Sequence, residues 1–363
     1  MSNRVFLAGD PVPWFVAPSP SNPEYHFSVA AGRYVVLMFL GSSSRPGAGA
    51  ALDRIMARGE LFDDIRASFF GVSTDPADQD RLRQRTPGIR YFWDFQYRLS
   101  RLYGALSGDG GADAHSPFWL LLDPMLRVLS TGPLEAVDTM LDRLSALPPP
   151  DRHAEVPVTA PVLVLPRVFE PDFCRRLIDL YDARGGVESG FMRVRDGKTV
   201  GVLDDGFKKR ADCAIEDEEI RQEARRRISA RILPELGKAF NFRATRIERY
   251  IVACYDGASG GFFRAHRDNT TPGTAHRQFA VTINLNAEEY EGGDLRFPEF
   301  GTQTYRAPTG GAVVFGCSLL HEAMPVTSGR RYAFLPFLYD EEGAKIRERN
   351  AASVTGEVQR VGG

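Results

Sequence analysis

Three consecutive prolines, Pro148 to Pro150 within "ALPPPDRHAEVPVTAPV", constrain this chain more than any other local feature. They end the helix-like "PLEAVDTMLDRLSAL", because proline has no amide hydrogen to donate and its ring clashes with the turn before it. The polar, proline-spaced residues that follow read as a semi-rigid linker, residues 148–160. The hydrophobic patterns differ on its two sides, so each side is read as its own domain: residues 1–147 and 161–345. The small, polar stretch 346–363 is expected to be a flexible tail. A length of 363 residues suits this division, at about 150 residues per domain.

Before the linker, apolar runs such as "RYVVLMFL", "FFGVST" and "SPFWLLLD" alternate with amphipathic segments. Continuous Val/Leu/Phe runs suit strands covered on both faces, and their alternation with helices implies crossovers and a largely parallel sheet. The expectation is an α/β domain. After the linker the helical patterns "EPDFCRRLIDLYDARG" and "DEEIRQEARRRISARILPELGKAF" come first, and from Arg246 the chain becomes a series of short strands. In "RQFAVTINLN", Phe279, Val281, Ile283 and Leu285 share one parity while Thr282, Asn284 and Asn286 share the other. Helices followed by many short strands predict an α+β domain ending in a sandwich or jelly roll.

Hydrophobic residues at 43% and charged residues at 25% are those of a globular protein, and a net charge of −2 gives no reason to expect nucleic acid or an anionic membrane as partner. No apolar run approaches the roughly 18 residues of a membrane span. "MSNRVFLAGDPVPWF" has no sustained apolar core of the kind a secretion signal needs, so a cytoplasmic location is expected. Cys174, Cys213, Cys254 and Cys317 are widely spaced, which fits neither a disulfide framework nor a paired zinc site.

The stretch "GFFRAHRDNT" holds the most chemistry. Its His266-Arg267-Asp268 looks like part of a kinase catalytic loop, but that loop needs an Asn five residues after the Asp, where this chain has Gly273. Neither a DFG nor a GxGxxG phosphate loop accompanies it. On a strand, His266 and Asp268 project from one face and Arg267 from the other. That is two thirds of the facial 2-His-1-carboxylate arrangement of non-haem Fe(II) oxygenases, although the pair alone is weak evidence and reads first as a solvated or core-satisfied polar pair. His321 fits a distal third ligand, since it follows the strand-like "GGAVVFGCSLL" and precedes a turn. Ten residues later Arg331 enters the last strongly apolar strand, where a guanidinium could bind a carboxylate through two parallel hydrogen bonds.

Taken in order, "RYIVACYDGASGGFFRAHRDN", "VTINLNAEEYEGGDLRFPEFG" and "APTGGAVVFGCSLLHEAMPVTSGRRYAF" resemble the prolyl 4-hydroxylase-like branch of the Fe(II)/2-oxoglutarate-dependent dioxygenases, from about Val162 to Tyr339. The resemblance implies a double-stranded β-helix with supporting helices. It also implies oxidative decarboxylation of 2-oxoglutarate to succinate, coupled to hydroxylation of a C–H bond. Carried onto this sequence, His266, Asp268 and His321 match the catalytic iron triad. Arg331 matches the residue that pairs with the distal carboxylate of 2-oxoglutarate, with Arg330 as the competing candidate. Tyr255 stands near a pocket-lining tyrosine of the family and reads equally as a sheet aromatic. Thr282 and Asn284 are candidates for the cavity wall. The implied cofactors are Fe(II), with 2-oxoglutarate and dioxygen as cosubstrates and ascorbate as a reductant. The implied substrate is a prolyl residue of a protein or peptide, or a small molecule. A metal- and 2-oxoglutarate-binding sensor without turnover is the alternative. The acidic Glu288, Glu289, Glu291 and Asp294 suggest either a basic partner or a solvated loop.

In the first domain, "LAGDPVPWFVAP", "GRYVVLMFL", "FFGVSTDPADQ", "WDFQYRLSRLYGA" and "SPFWLLLDPMLRVL" resemble the peroxiredoxin (AhpC/TSA-like) group of the thioredoxin fold. Where that group carries its reactive Cys, this chain has "GSSSRPGAGAAL", and no cysteine occurs before Cys174. Thiol peroxidase chemistry from this domain is therefore not expected. Ser42 to Ser44 read as a turn before a helix, and Pro117 falls where the thioredoxin fold often holds a cis proline. The domain is expected to present substrate or form a homodimer, or else only to stabilise its neighbour.

Overall fold

The structure, a computed structural model, describes residues 5–106 and 114–361. The chain divides into two compact units, Met1–Thr159 with Pro298–Thr302, and Ala160–Phe297 with Gln303–Gly363.

The first unit is built on a five-stranded sheet whose central strand, Tyr34–Gly41, is buried along its whole length. It pairs in parallel with Ala67–Ser73, which pairs in parallel with Ile89–Trp93. The helix Pro46–Ala57 makes the first crossover, opening on a proline whose missing N–H costs nothing there, and buries Ala48, Ala51, Leu52 and Ile55. The parallel arrangement stops at three strands. Phe118–Leu122 runs antiparallel to the central strand, and Val128–Gly132 antiparallel to it in turn. The connection between those two, residues 123–127, is too short for a crossover, so a hairpin is the only solution. Among the described residues the cis peptide bond is Thr86–Pro87, not one before Pro117. The serine run forms a turn: Ser42 Oγ donates to Asp75 at 2.7 Å, and the Ser43 amide to the buried Asp78 at 2.9 Å.

In the second unit, the helices Pro171–Arg184, Glu218–Arg231 and Leu233–Phe240 pack on one face of a ten-stranded sheet. Asp217 caps the second of these by accepting from the Ile220 amide at 3.1 Å, and Ile220, Ala224 and Ile228 form its buried stripe. They meet Val281, Ile283 and Leu285 from the sheet, so the parity read from "RQFAVTINLN" assigns its apolar set to the core. Thr282 and Asn284 take the opposite face. A second, five-stranded sheet has the order Lys208–Lys209, Phe262–His266, His321–Ala323, Leu295–Arg296, Thr304–Tyr305.

The stretch after residue 345 differs from the expected flexible tail. The helix Glu341–Arg349 runs through that boundary, and Val354–Arg360 is a strand pairing in parallel with Lys198–Leu203. The reason is non-local: the hairpin Phe191–Arg195/Lys198–Leu203 offers an open edge that the polar C-terminal residues complete with backbone hydrogen bonds. No helix among the described residues is long and apolar enough to cross a membrane.

Candidate functional site

His266 and His321 are register partners on adjacent antiparallel strands. The His266 strand carries an irregularity between Phe263 and His266, where two residues, Arg264 and Ala265, oppose one, Glu322. This re-aims the strand end, as bulges do next to sites. The strand stops at His266, so Asp268 lies just beyond it rather than on a continuous i, i+2 face. Its amide still bonds the Cys317 carbonyl at 3.0 Å, which returns the carboxylate to the same place. Arg267 turns away and donates to the Ser318 carbonyl.

The three ligand atoms lie within 4.8 Å of one another. Asp268 Oδ1 is 3.5 Å from His266 Nε2, and Oδ2 is 3.4 Å from His321 Nε2. The tautomers follow from the other ring nitrogens. His266 Nδ1 is 2.7 Å from the Arg264 carbonyl and His321 Nδ1 is 3.0 Å from the Leu319 carbonyl. A carbonyl can only accept, so each Nδ1 carries the hydrogen and each Nε2 presents its lone pair to the centre. Burial, and then the neighbouring His266, push the His321 pKa down to about 4 against the pull of Asp268, keeping its imidazole in the neutral, ligating form at neutral pH. At Asp268 burial works to raise the pKa, but His321 and His266 outweigh it and hold the carboxyl below its usual range. Aromatic rings wall the centre: Phe263 stacks on His266 at 3.5 Å between centroids, and Phe315 lies 4.6 Å from His321.

One cavity brings the triad together with Tyr255, Thr282 and Arg331, drawing on both sheets. Tyr255 and Arg331 are cross-strand partners, with the guanidinium 4.9 Å from the ring centre. Arg331 is 2% exposed, and its Nε and Nη1 make no hydrogen bond. Arg330 points the other way, its side chain 59% exposed and 3.4 Å from Asp256. Asn284 donates to the Ala307 carbonyl at 2.7 Å, leaving its buried Oδ1 unpaired. Of the acidic residues nearby, Glu289 pairs with Arg175, Asp294 with Arg306, and Glu288 bonds Thr309, so they are engaged within the fold.

Two cavity groups, Arg210 and Arg249, and the Asp212 that pairs with both were not singled out by the sequence reading. A signal existed in "KKRADC", where Lys208, Arg210 and Asp212 share one parity of a short extended segment. The four cysteines are buried, and burial raises the thiol pKa of each, to about 12 at Cys174 and about 11 at Cys254.

This arrangement has a counterpart among known families: residues 250–339 match the model of the 2OG-Fe(II) oxygenase superfamily, a span that includes Tyr255, the triad and Arg331. Among curated proteins, a PKHD-type hydroxylase from a Synechococcus strain is 32% identical over 97 residues, which cover 25% of this chain and 42% of that protein. The chain thus spans less than half the length of that relative. A solved prolyl hydroxylase from Trichoplax adhaerens, in complex with a hypoxia inducible factor oxygen degradation domain peptide fragment, aligns at 21% identity and a TM-score of 0.41, covering 55% of this chain and 93% of that one. Peroxidoxin BcpB from Mycobacterium tuberculosis aligns at 23% identity and a TM-score of 0.34, over 40% of this chain and 99% of that one.

Proposed function

We propose that this protein is a non-haem Fe(II)- and 2-oxoglutarate-dependent dioxygenase of the prolyl 4-hydroxylase-like type, a hydroxylase that turns 2-oxoglutarate into succinate as it hydroxylates a C–H bond. The observation that carries the reading is the pairing, in one cavity, of a two-imidazole, one-carboxylate cluster with a buried arginine whose Nε and Nη1 are unpaired. The donor set suits iron: two imidazole nitrogens and a carboxylate oxygen lie within 4.8 Å of one another. Iron bound there would supply the activation of dioxygen and of the keto acid.

The chain's own residues do the rest. His266, Asp268 and His321 would hold the metal, with the Arg264 and Leu319 carbonyls fixing the two rings. Arg331 would clamp the far carboxylate of 2-oxoglutarate, and Tyr255 would keep that guanidinium in place. Thr282 lends the wall a polar group, while Phe263 and Phe315 keep water out. Ascorbate would serve as reductant. The proposal takes the ten-stranded and five-stranded sheets of the second unit as a jelly roll closing around the cavity, supported by the lining that each contributes. The first unit is proposed to be a thioredoxin-like module without redox chemistry, and the free thiols fit a reducing, cytoplasmic setting.

The test is succinate formation that requires iron, dioxygen and 2-oxoglutarate together and disappears in His266→Ala. Binding of 2-oxoglutarate without any succinate would favour a sensor. For the first unit, full turnover of substrate by residues 160–363 alone would sink a role in substrate presentation.

A further inference from the structure

The cavity holds more positive charge than the proposed reaction uses. Its wall carries three guanidinium groups, Arg210, Arg249 and Arg331, and only one carboxylate, Asp268. Asp212 behind the wall adds a second: its Oδ2 accepts from Arg210 Nη2 at 2.7 Å and lies 3.7 Å from Arg249 Nη2. A divalent metal and a dianionic cosubstrate cancel, so one positive charge remains unmatched. Leaving a cation without a partner in a largely dry site is costly.

The hydrogen bonds locate the surplus. Arg210 is committed, with Asp212 on one side and the Tyr255 hydroxyl, 3.3 Å away, on the other. Arg331 has the proposed cosubstrate. Arg249 has only a share of Asp212: its Nη2 stands 3.7 Å from the carboxylate that Arg210 already engages and makes no hydrogen bond, and its guanidinium lies 5.2 Å from the ring centre of Phe337, another cavity residue. Burial, and then the charge of Arg210, pull the Arg249 pKa down to about 10, as expected of a cation waiting for an anion. The backbone points the same way. Arg249 has a φ of +70°, a left-handed conformation that is strained for a residue with a Cβ. Strain of that kind persists where it positions a functional group.

We infer that Arg249, backed by Arg210 and Asp212, is a second anion receptor in this cavity, and that the molecule to be hydroxylated carries a carboxylate which Arg249 binds. The inference rests on the dioxygenase reading and sharpens its substrate: a free acid or a chain terminus rather than a neutral residue within a peptide. A planar guanidinium matches a carboxylate through two parallel hydrogen bonds, so Arg249 would act as a specificity-determining residue, distinct from Arg331.

The experiment uses the full chain loaded anaerobically with Fe(II) and 2-oxoglutarate, whose charge-transfer absorption reports the metal complex without turnover. N-acetyl-L-proline and N-acetyl-L-leucine are titrated against their carboxamides in wild type, Arg249→Gln and Arg249→Lys. The acids are expected to perturb the wild-type band at concentrations about tenfold or more below the amides. That preference should vanish in Arg249→Gln and return in part in Arg249→Lys, while 2-oxoglutarate itself binds all three proteins alike. Equal binding of acids and amides, binding of neither, or a preference that survives Arg249→Gln, as direct ligation of iron by the acid would give, overturns the proposal alone. A band that never forms in wild type brings down the dioxygenase reading and this inference with it.

Discussion

His266 and His321 face each other across adjacent antiparallel strands, ring centroids 4.3 Å apart, each tied through Nδ1 to the carbonyl of the residue two positions earlier. Two independent strands therefore deliver the same ligand atom to the same point. Replacing either histidine by alanine removes one of three ligands and leaves the backbone pairing intact. Bound iron should fall below stoichiometric levels by metal analysis, and succinate formation should drop by at least about 100-fold. The far-ultraviolet circular dichroism should match wild type.

Arg331 and Arg330 are neighbours in sequence with opposite environments, one 2% exposed in the cavity wall and the other a surface residue beside Asp256. Arg331→Lys keeps the charge but loses the planar fork. It should raise the KM for 2-oxoglutarate about tenfold or more, whereas Arg330→Ala should leave it within about twofold. Steady-state kinetics on the two variants separates the candidates directly.

Gly293 has a φ of +70°, and a Cβ there would stand 2.8 Å from Val326 Cγ2 and 3.0 Å from Arg331 Cδ. Gly293→Ala thus combines backbone strain with displacement of the arginine stem, so it should lower Tm by several degrees and also weaken 2-oxoglutarate binding. Gly292 shares the φ of +70°, but its added Cβ would meet the Pro325 carbonyl oxygen. Gly292→Ala should lower Tm without a comparable change in KM. Thermal unfolding and cosubstrate titration on the pair test this.

Burial works to raise the Glu248 pKa, yet the hydrogen bond from His276 at 2.9 Å and the charge of Arg277, which donates at 2.7 Å, outweigh it and bring the value down from 4.5 to about 2. A carboxylate depressed in the folded state stabilises fully above its unfolded pKa, and that stability is lost as pH falls from about 4.5 toward 2. The loss should be roughly 3 kcal/mol. Glu248→Gln should flatten the acid limb of a denaturant-unfolding series between pH 5 and 3, and an unchanged slope would count against the pairing.

The sequence by itself determined the buried central strand Tyr34–Gly41, the core parity of Val281, Ile283 and Leu285, and which histidines and acid to group. These rest on local periodicity and side-chain chemistry, which a linear string carries. It did not determine that the His266 strand ends before Asp268, because that depends on an irregularity opposite the His321 strand. Nor did it determine that Val354–Arg360 pairs with a hairpin about 150 residues earlier, since an open edge belongs to the assembled sheet. The buried Arg210 and the half-buried Asp212 and Arg249 were legible only as surface-like polar residues. Burial and unmatched charge are properties of what surrounds a side chain, and only the tertiary structure supplies those surroundings.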